Sequence, residues 1–88
     1  MALKEPKFHK GEFILTERGF PSFVYENQIS KGYISIYAFG IKDEHGSEYP
    51  EKAVRINEEQ FFSFCREHGY TRNYVEQKMK EFKIKVGE

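Results

Sequence analysis

The chain has 88 residues and a mass of 10.5 kDa, the size of one small domain with one small core. Lys plus Arg equals 14 and Asp plus Glu equals 14. This balance excludes both a strongly basic domain that grips nucleic acid by charge alone and an acidic mimic of it. A single cysteine, Cys65, excludes an internal disulfide framework and a Cys-rich zinc site. No apolar run approaches the roughly 18 residues of a membrane span, and the first residues lack the apolar stretch of a signal peptide, so a cytoplasmic, membrane-free setting is expected. Nine Phe and six Tyr speak for an ordered chain, since disordered sequences lack large rings. Those rings either fill the core or present a recognition surface.

Residues 1–10 are polar, contain Pro6 and read as a flexible lead-in to a single domain over 11–88. Residues 12–17 read as a first strand, Arg18-Gly19-Phe20-Pro21 as a turn, and residues 22–26 as a second strand. Residues 27–32 form a polar connection. Residues 33–41 give the clearest strand. Its period of two places Ile34, Ile36 and Ala38 on one face and Tyr33, Ser35, Tyr37 and Phe39 on the other. Gly40 marks a bulge or bend. Residues 42–47 read as a charged hairpin loop with Gly46 left-handed, and residues 48–56 as a fourth strand interrupted by Pro50.

At Asn57 the period changes to 3.6. Asn57 is an N-cap with Gln60 at the capping-box position, and Glu58 and Glu59 suit the first turn. Phe61, Phe64, Cys65 and His68 form a stripe at i, i+3, i+4, i+7, with Phe62 widening it, and Gly69 stops the helix. Thr71 caps a second helix from Arg72 to about Phe82, with Val75, Met79 and Phe82 on one side and Tyr74 beside them. The tail 83–86 alternates, as a short strand or a frayed helix end. Strands followed by two helices give an α+β domain: about four strands in a small curled antiparallel sheet, then a helical hairpin.

The segments Lys10-Gly11-Glu12-Phe13-Ile14-Leu15-Thr16, Gly19-Phe20-Pro21-Ser22-Phe23-Val24 and Lys31-Gly32-Tyr33-Ile34-Ser35-Ile36 resemble the opening strands of an SH3-like barrel. The resemblance covers about residues 10–56, is architectural, and implies a barrel as the alternative to an open curled sheet.

Catalysis is poorly supported. Cys65 and His68 are three apart on one helical face, yet a buried Cys on an apolar stripe and a His favoured at a helix C-terminus account for both. The pairs Asp43-Glu44 and Glu58-Glu59, and Glu48 with Glu51, carry no sign that one carboxyl is raised by burial. No phosphate-cradling glycine motif is present. No enzyme activity, metal or cofactor is therefore expected.

Two binding signals remain. If Ile34, Ile36 and Ala38 face the core, Tyr33, Tyr37 and Phe39 face outward. Phe20 and Tyr25 join them, flanked by Arg18 and Lys31, as a platform for a protein partner; the alternative is that the two helices cover these rings. A sheet edge strand is a further route. This suits an adaptor, regulator or inhibitor of the kind a phage or mobile element encodes. Exposed aromatics suit a homodimer equally. The other signal is a resemblance to the helix-turn-helix: Cys65, Gly69 and Val75 stand at that motif's spacings. It implies a DNA-binding second helix offering Arg72, Asn73 and Gln77 to bases, with Lys78 and Lys80 toward phosphates. His68 and Lys78 stand where that pattern carries apolar residues, and strands replace its third helix. Residues 72–85 carry five positive and two negative charges.

Overall fold

The computed structural model describes residues 8–28, 32–40 and 44–84. The order of elements is β1 (Phe13–Leu15), β2 (Pro21–Gln28), β3 (Tyr33–Ala38), β4 (Glu44–Glu48), a 3₁₀ turn (Pro50–Lys52), β5 (Val54–Ile56), α1 (Glu58–Glu67) and α2 (Arg72–Glu81). The five strands form one antiparallel sheet in the order β4-β3-β2-β1-β5. Most of the lead-in, residues 29–31 of the polar connection, the last residue of the strand expected over 33–41, the start of the expected charged loop at 42–43 and the tail beyond 84 lie outside the described residues.

The sheet curls because its connections are short. The chain leaves the β4 edge and reaches the β5 edge through residues 49–53, three of which are spent in the 3₁₀ turn. Such a segment reaches about 16 Å, whereas four strand spacings in a flat sheet span about 19 Å. The β1–β2 turn is tied across the resulting hollow. The Glu17 N–H donates to the Glu48 carboxylate at 2.7 Å, Lys52 pairs with Glu17 at 3.6 Å, and Arg18 pairs with Glu44 at 3.5 Å. A bulge between Val24 and Glu26 adds to the bend. No pairing joins β4 to β5 among the described residues. Of the two expected forms, the open curled sheet holds and the closed SH3-like barrel does not.

The count of strands also changes. Residues 44–47, read as part of a hairpin loop, join Glu48 in a strand paired along β3 from Ile34↔Glu48 to Ala38↔Glu44. Gly46 pairs with Ile36 within it and is not left-handed. The expected strand over 48–56 is split at Pro50, whose fixed φ and missing N–H suit the first turn of a 3₁₀ segment.

Both faces of the sheet are covered. On one face Phe23, Tyr37, Phe39 and Ile56 pack with Phe61 and Cys65 of α1 and Val75 and Met79 of α2. Phe13 stacks on Phe61 with centroids 4.5 Å apart. On the other face Ile14, Val24, Ile34 and Ile36 pack with Ala53 and with Phe8. Phe8 stands inside the expected lead-in yet is fully buried, with the Arg55 guanidinium 4.9 Å from its ring centre.

The helices begin and end as their caps dictate. The Gln60 N–H donates to Asn57 Oδ1 at 2.7 Å, and the Asn57 N–H donates to Gln60 Oε1 at 3.0 Å, which closes the capping box. Thr71 accepts from the Tyr74 N–H. Gly69, at φ 93°, lets Tyr70 N–H reach the Cys65 carbonyl at 3.0 Å and ends α1 in a Schellman motif. α2 ends in the same motif with Lys83 at φ 60° and Ile84 N–H on the Met79 carbonyl at 2.8 Å. Ile84 is buried against the core as the apolar closure of that motif, so this part of the tail is neither strand nor frayed helix.

Candidate functional site

The rings expected to form a platform are dispersed by the fold. Phe39 is fully buried and Tyr37 is 6% exposed. Tyr37 is packed among Phe23 at 5.6 Å, Phe39 at 5.3 Å and Phe82 at 5.2 Å. Tyr25 is half-buried, with its ring 4.7 Å from that of Phe82. Tyr33 is half-buried at the start of β3. The two helices must bury their apolar stripes on some face of the sheet, and they take the aromatic one. The outward aromatic platform is thereby corrected at Tyr37 and Phe39, which are core, while Tyr25 and Tyr33 are half-buried.

Arg18 and Phe20 go elsewhere. Phe20 lies over Gly40, where a side chain would meet its ring at 2.8 Å. Its centroid is 5.8 Å from the ring of His68 and 5.4 Å from the Arg18 guanidinium. Tyr70 holds the same bend by donating its hydroxyl hydrogen to the Gly40 carbonyl. Arg18 and Phe20 line an open groove of about 250 Å³ on the face away from the helices, together with Thr16, Ile36, Gly46 and Glu48. Glu44 and Ser47 complete its β4 wall.

β4 is an edge strand. Glu44, Gly46 and Glu48 stand opposite Ala38, Ile36 and Ile34, on the groove side. His45 stands opposite Tyr37, its ring 5.1 Å from that of Tyr37 and 5.2 Å from that of Phe82. Tyr49, just beyond β4, is 58% exposed with extended backbone. At the other edge, Val54 of β5 is 60% exposed. Alternate residues of an edge strand aim N–H and C=O away from the sheet. The sequence pattern did not single out this edge. Glu-His-Gly-Ser-Glu has poor strand propensity, and only pairing with β3 makes it a strand.

The helix-turn-helix candidates sit on the exposed side of α2. Arg72, Asn73, Gln77 and Lys80 are exposed. Two of the three cations expected to face DNA, Arg72 and Lys78, are engaged. Arg72 pairs with Glu76 at 2.7 Å and lies 4.3 Å from the Phe62 ring centre, while Lys78 pairs with Glu81 at 3.8 Å. The helix pair packs on a sheet rather than on a third helix. Cys65 is buried and His68 is exposed at the C-cap of α1. Among the described residues no group of three His, Cys, Asp or Glu side chains is placed to hold a metal ion. No described helix is long and apolar enough to cross a membrane. No protein-family model, no curated protein and no solved structure matches the chain.

Proposed function

We propose that the chain is a small non-catalytic interaction module, an adaptor, regulator or inhibitor, that takes a protein partner by adding a strand to an open edge of its sheet. One observation carries the reading. Among the described residues the sheet stops at β4 and β5 without closing, and the large apolar side chains most exposed there, Tyr49 and Val54, stand at those edges. Main-chain hydrogen bonds supply affinity in such complexes, and alternate side chains supply specificity. The setting is a reducing, cytoplasmic one, in which a lone buried thiol is stable.

The test is affinity capture from the native host with two baits, the wild-type chain and a Tyr49→Lys/Val54→Lys double variant. A protein retained by the first and lost by the second supports the reading. Equal retention by both overturns it. Sedimentation of the purified chain identifies the case in which the partner is a second copy.

A second reading rests on Asn73, Gln77 and Lys80, which are exposed at successive turns of α2. It is DNA binding through that helix. It requires affinity for duplex DNA that falls steeply between about 50 and 200 mM salt, because bound cations release counterions. It also requires weakening by Arg72→Ala or Lys80→Ala. Loss of both signatures removes it.

A further inference from the structure

We infer that the docking edge is β4 rather than β5, and that its occupant is an extended segment of a partner protein with basic residues at positions i and i+4 and an apolar residue at i+2. This deepens the strand-addition reading above and rests on it. Among the described residues the outer side of β4 is open along five residues and that of β5 along three, and main-chain affinity grows with the number of ladder bonds. Side chains on an added strand point alternately to the two faces, so residues i, i+2 and i+4 stand beside Glu44, Gly46 and Glu48.

The three positions differ in what they ask for. Glu44 is matched to Arg18 by an exposed pair at 3.5 Å, which an incoming cation displaces at little cost. Glu48 accepts the Glu17 N–H and meets no cation at ion-pair distance among the described residues. Gly46 brings no side chain, and a Cβ built on it meets nothing within 4 Å. The gap it leaves opens onto Ile36, Ala38 and Phe20 in the 250 Å³ groove, which suits one apolar side chain. Tyr49 extends the same edge as an exposed ring for the segment to cover.

The pattern also disfavours a second copy of the chain at this edge. An antiparallel pairing of β4 with itself about Gly46 sets Glu44 of one copy against Glu48 of the other, twice, and like charges directly opposite are destabilising. Charged edges of this kind block indiscriminate pairing while leaving the edge open to a strand of complementary charge.

The probe is the capped heptapeptide Thr-Lys-Thr-Val-Thr-Lys-Thr, titrated into the ¹⁵N-labelled chain and followed by amide shifts. The controls are the same peptide with Glu at both Lys positions and one with the Val moved next to a Lys. The expected result is saturable shifts at residues 44–49, on the order of tenfold tighter for the Lys peptide than for the Glu peptide. Glu44→Lys/Glu48→Lys should reverse that preference. Gly46→Val should fill the gap and weaken the Lys peptide while leaving the fold intact, as checked by its amide spectrum. Equal binding of the Lys and Glu peptides, or no shift at 44–49, overturns the assignment. Shifts confined to 54–56 overturn β4 and leave strand addition standing. No shift at either edge removes the basic-strand occupant, while the capture experiment still decides strand addition separately.

Discussion

Replacing Phe39 tests whether the aromatic face is core. The ring is fully buried. Its neighbours are Tyr37 and Tyr70 at 5.3 Å, Phe23 and Phe61 at 6.0 Å and Tyr74 at 6.4 Å. These rings belong to β2, β3, α1, the α1–α2 link and α2, so no single element can move in to fill a void. Phe39→Ala therefore costs about 3–5 kcal/mol, the sum of lost transfer free energy and a cavity that stays open. A domain of this length has a total stability of about 4–13 kcal/mol, so that variant stands at or near unfolding. Phe39→Leu keeps most of the apolar volume and should cost roughly 1–2 kcal/mol. With an m-value of about 1 kcal/mol/M, the urea midpoint should fall by about 1–2 M at unchanged m, read by far-ultraviolet circular dichroism. A loss below about 0.5 kcal/mol for Phe39→Leu, the range of surface substitutions, would refute the packing and return the ring to a recognition surface.

Other substitutions probe single devices of the fold. Gly40→Ala drives a methyl into the Phe20 ring and should cost about 1–3 kcal/mol by urea melt; a neutral result would mean that Phe20 does not lie over the bend. Asn57→Ala breaks the capping box and should cost about 1 kcal/mol, with loss of amide protection in the first turn of α1. Lys83→Gly relieves a left-handed lysine and should raise stability by up to about 1 kcal/mol, whereas a loss of stability would deny the Schellman end of α2. Cys65 should react with a thiol reagent only at the rate of unfolding, because its side chain is buried; prompt reaction in native buffer would contradict that burial.

The helical half was legible because its signals are local. Asn57 with Gln60, Thr71, and Gly69 fix where the helices start and stop through bonds spanning three to five residues. The β half depends on partners distant in sequence, and pattern alone misjudged it in three ways. The alternation of Ile34, Ile36 and Ala38 with Tyr37 and Phe39 was real, but both faces of β3 are buried, so the period could not say which side faced solvent. Residues 44–48 carry loop chemistry and are a strand only because β3 pairs with them. Phe8 is one ring in a polar stretch, and its burial follows from the curl that leaves a hollow behind the sheet.

The candidate site was legible in fragments. Arg18 and Phe20 were singled out with rings that proved to be core, yet they line the groove beside β4. Glu44, Gly46, Glu48 and Tyr49 carried no binding signal in the chain. Their value comes from standing together on an edge that closure would have covered. On α2, Arg72, Asn73, Gln77 and Lys80 are exposed, but Glu76 and Glu81, one turn away, pair with Arg72 and Lys78, two of the cations that a DNA contact would use.

The most direct measurement is amide hydrogen exchange on the chain alone and in complex with its captured partner. The account predicts new protection at residues 44–49, where an added strand takes up the outward N–H groups, with α2 exchanging as it does in the free chain. Protection gained along residues 72–81 instead, with the β4 edge unchanged, would contradict strand addition and move the binding surface to the helix.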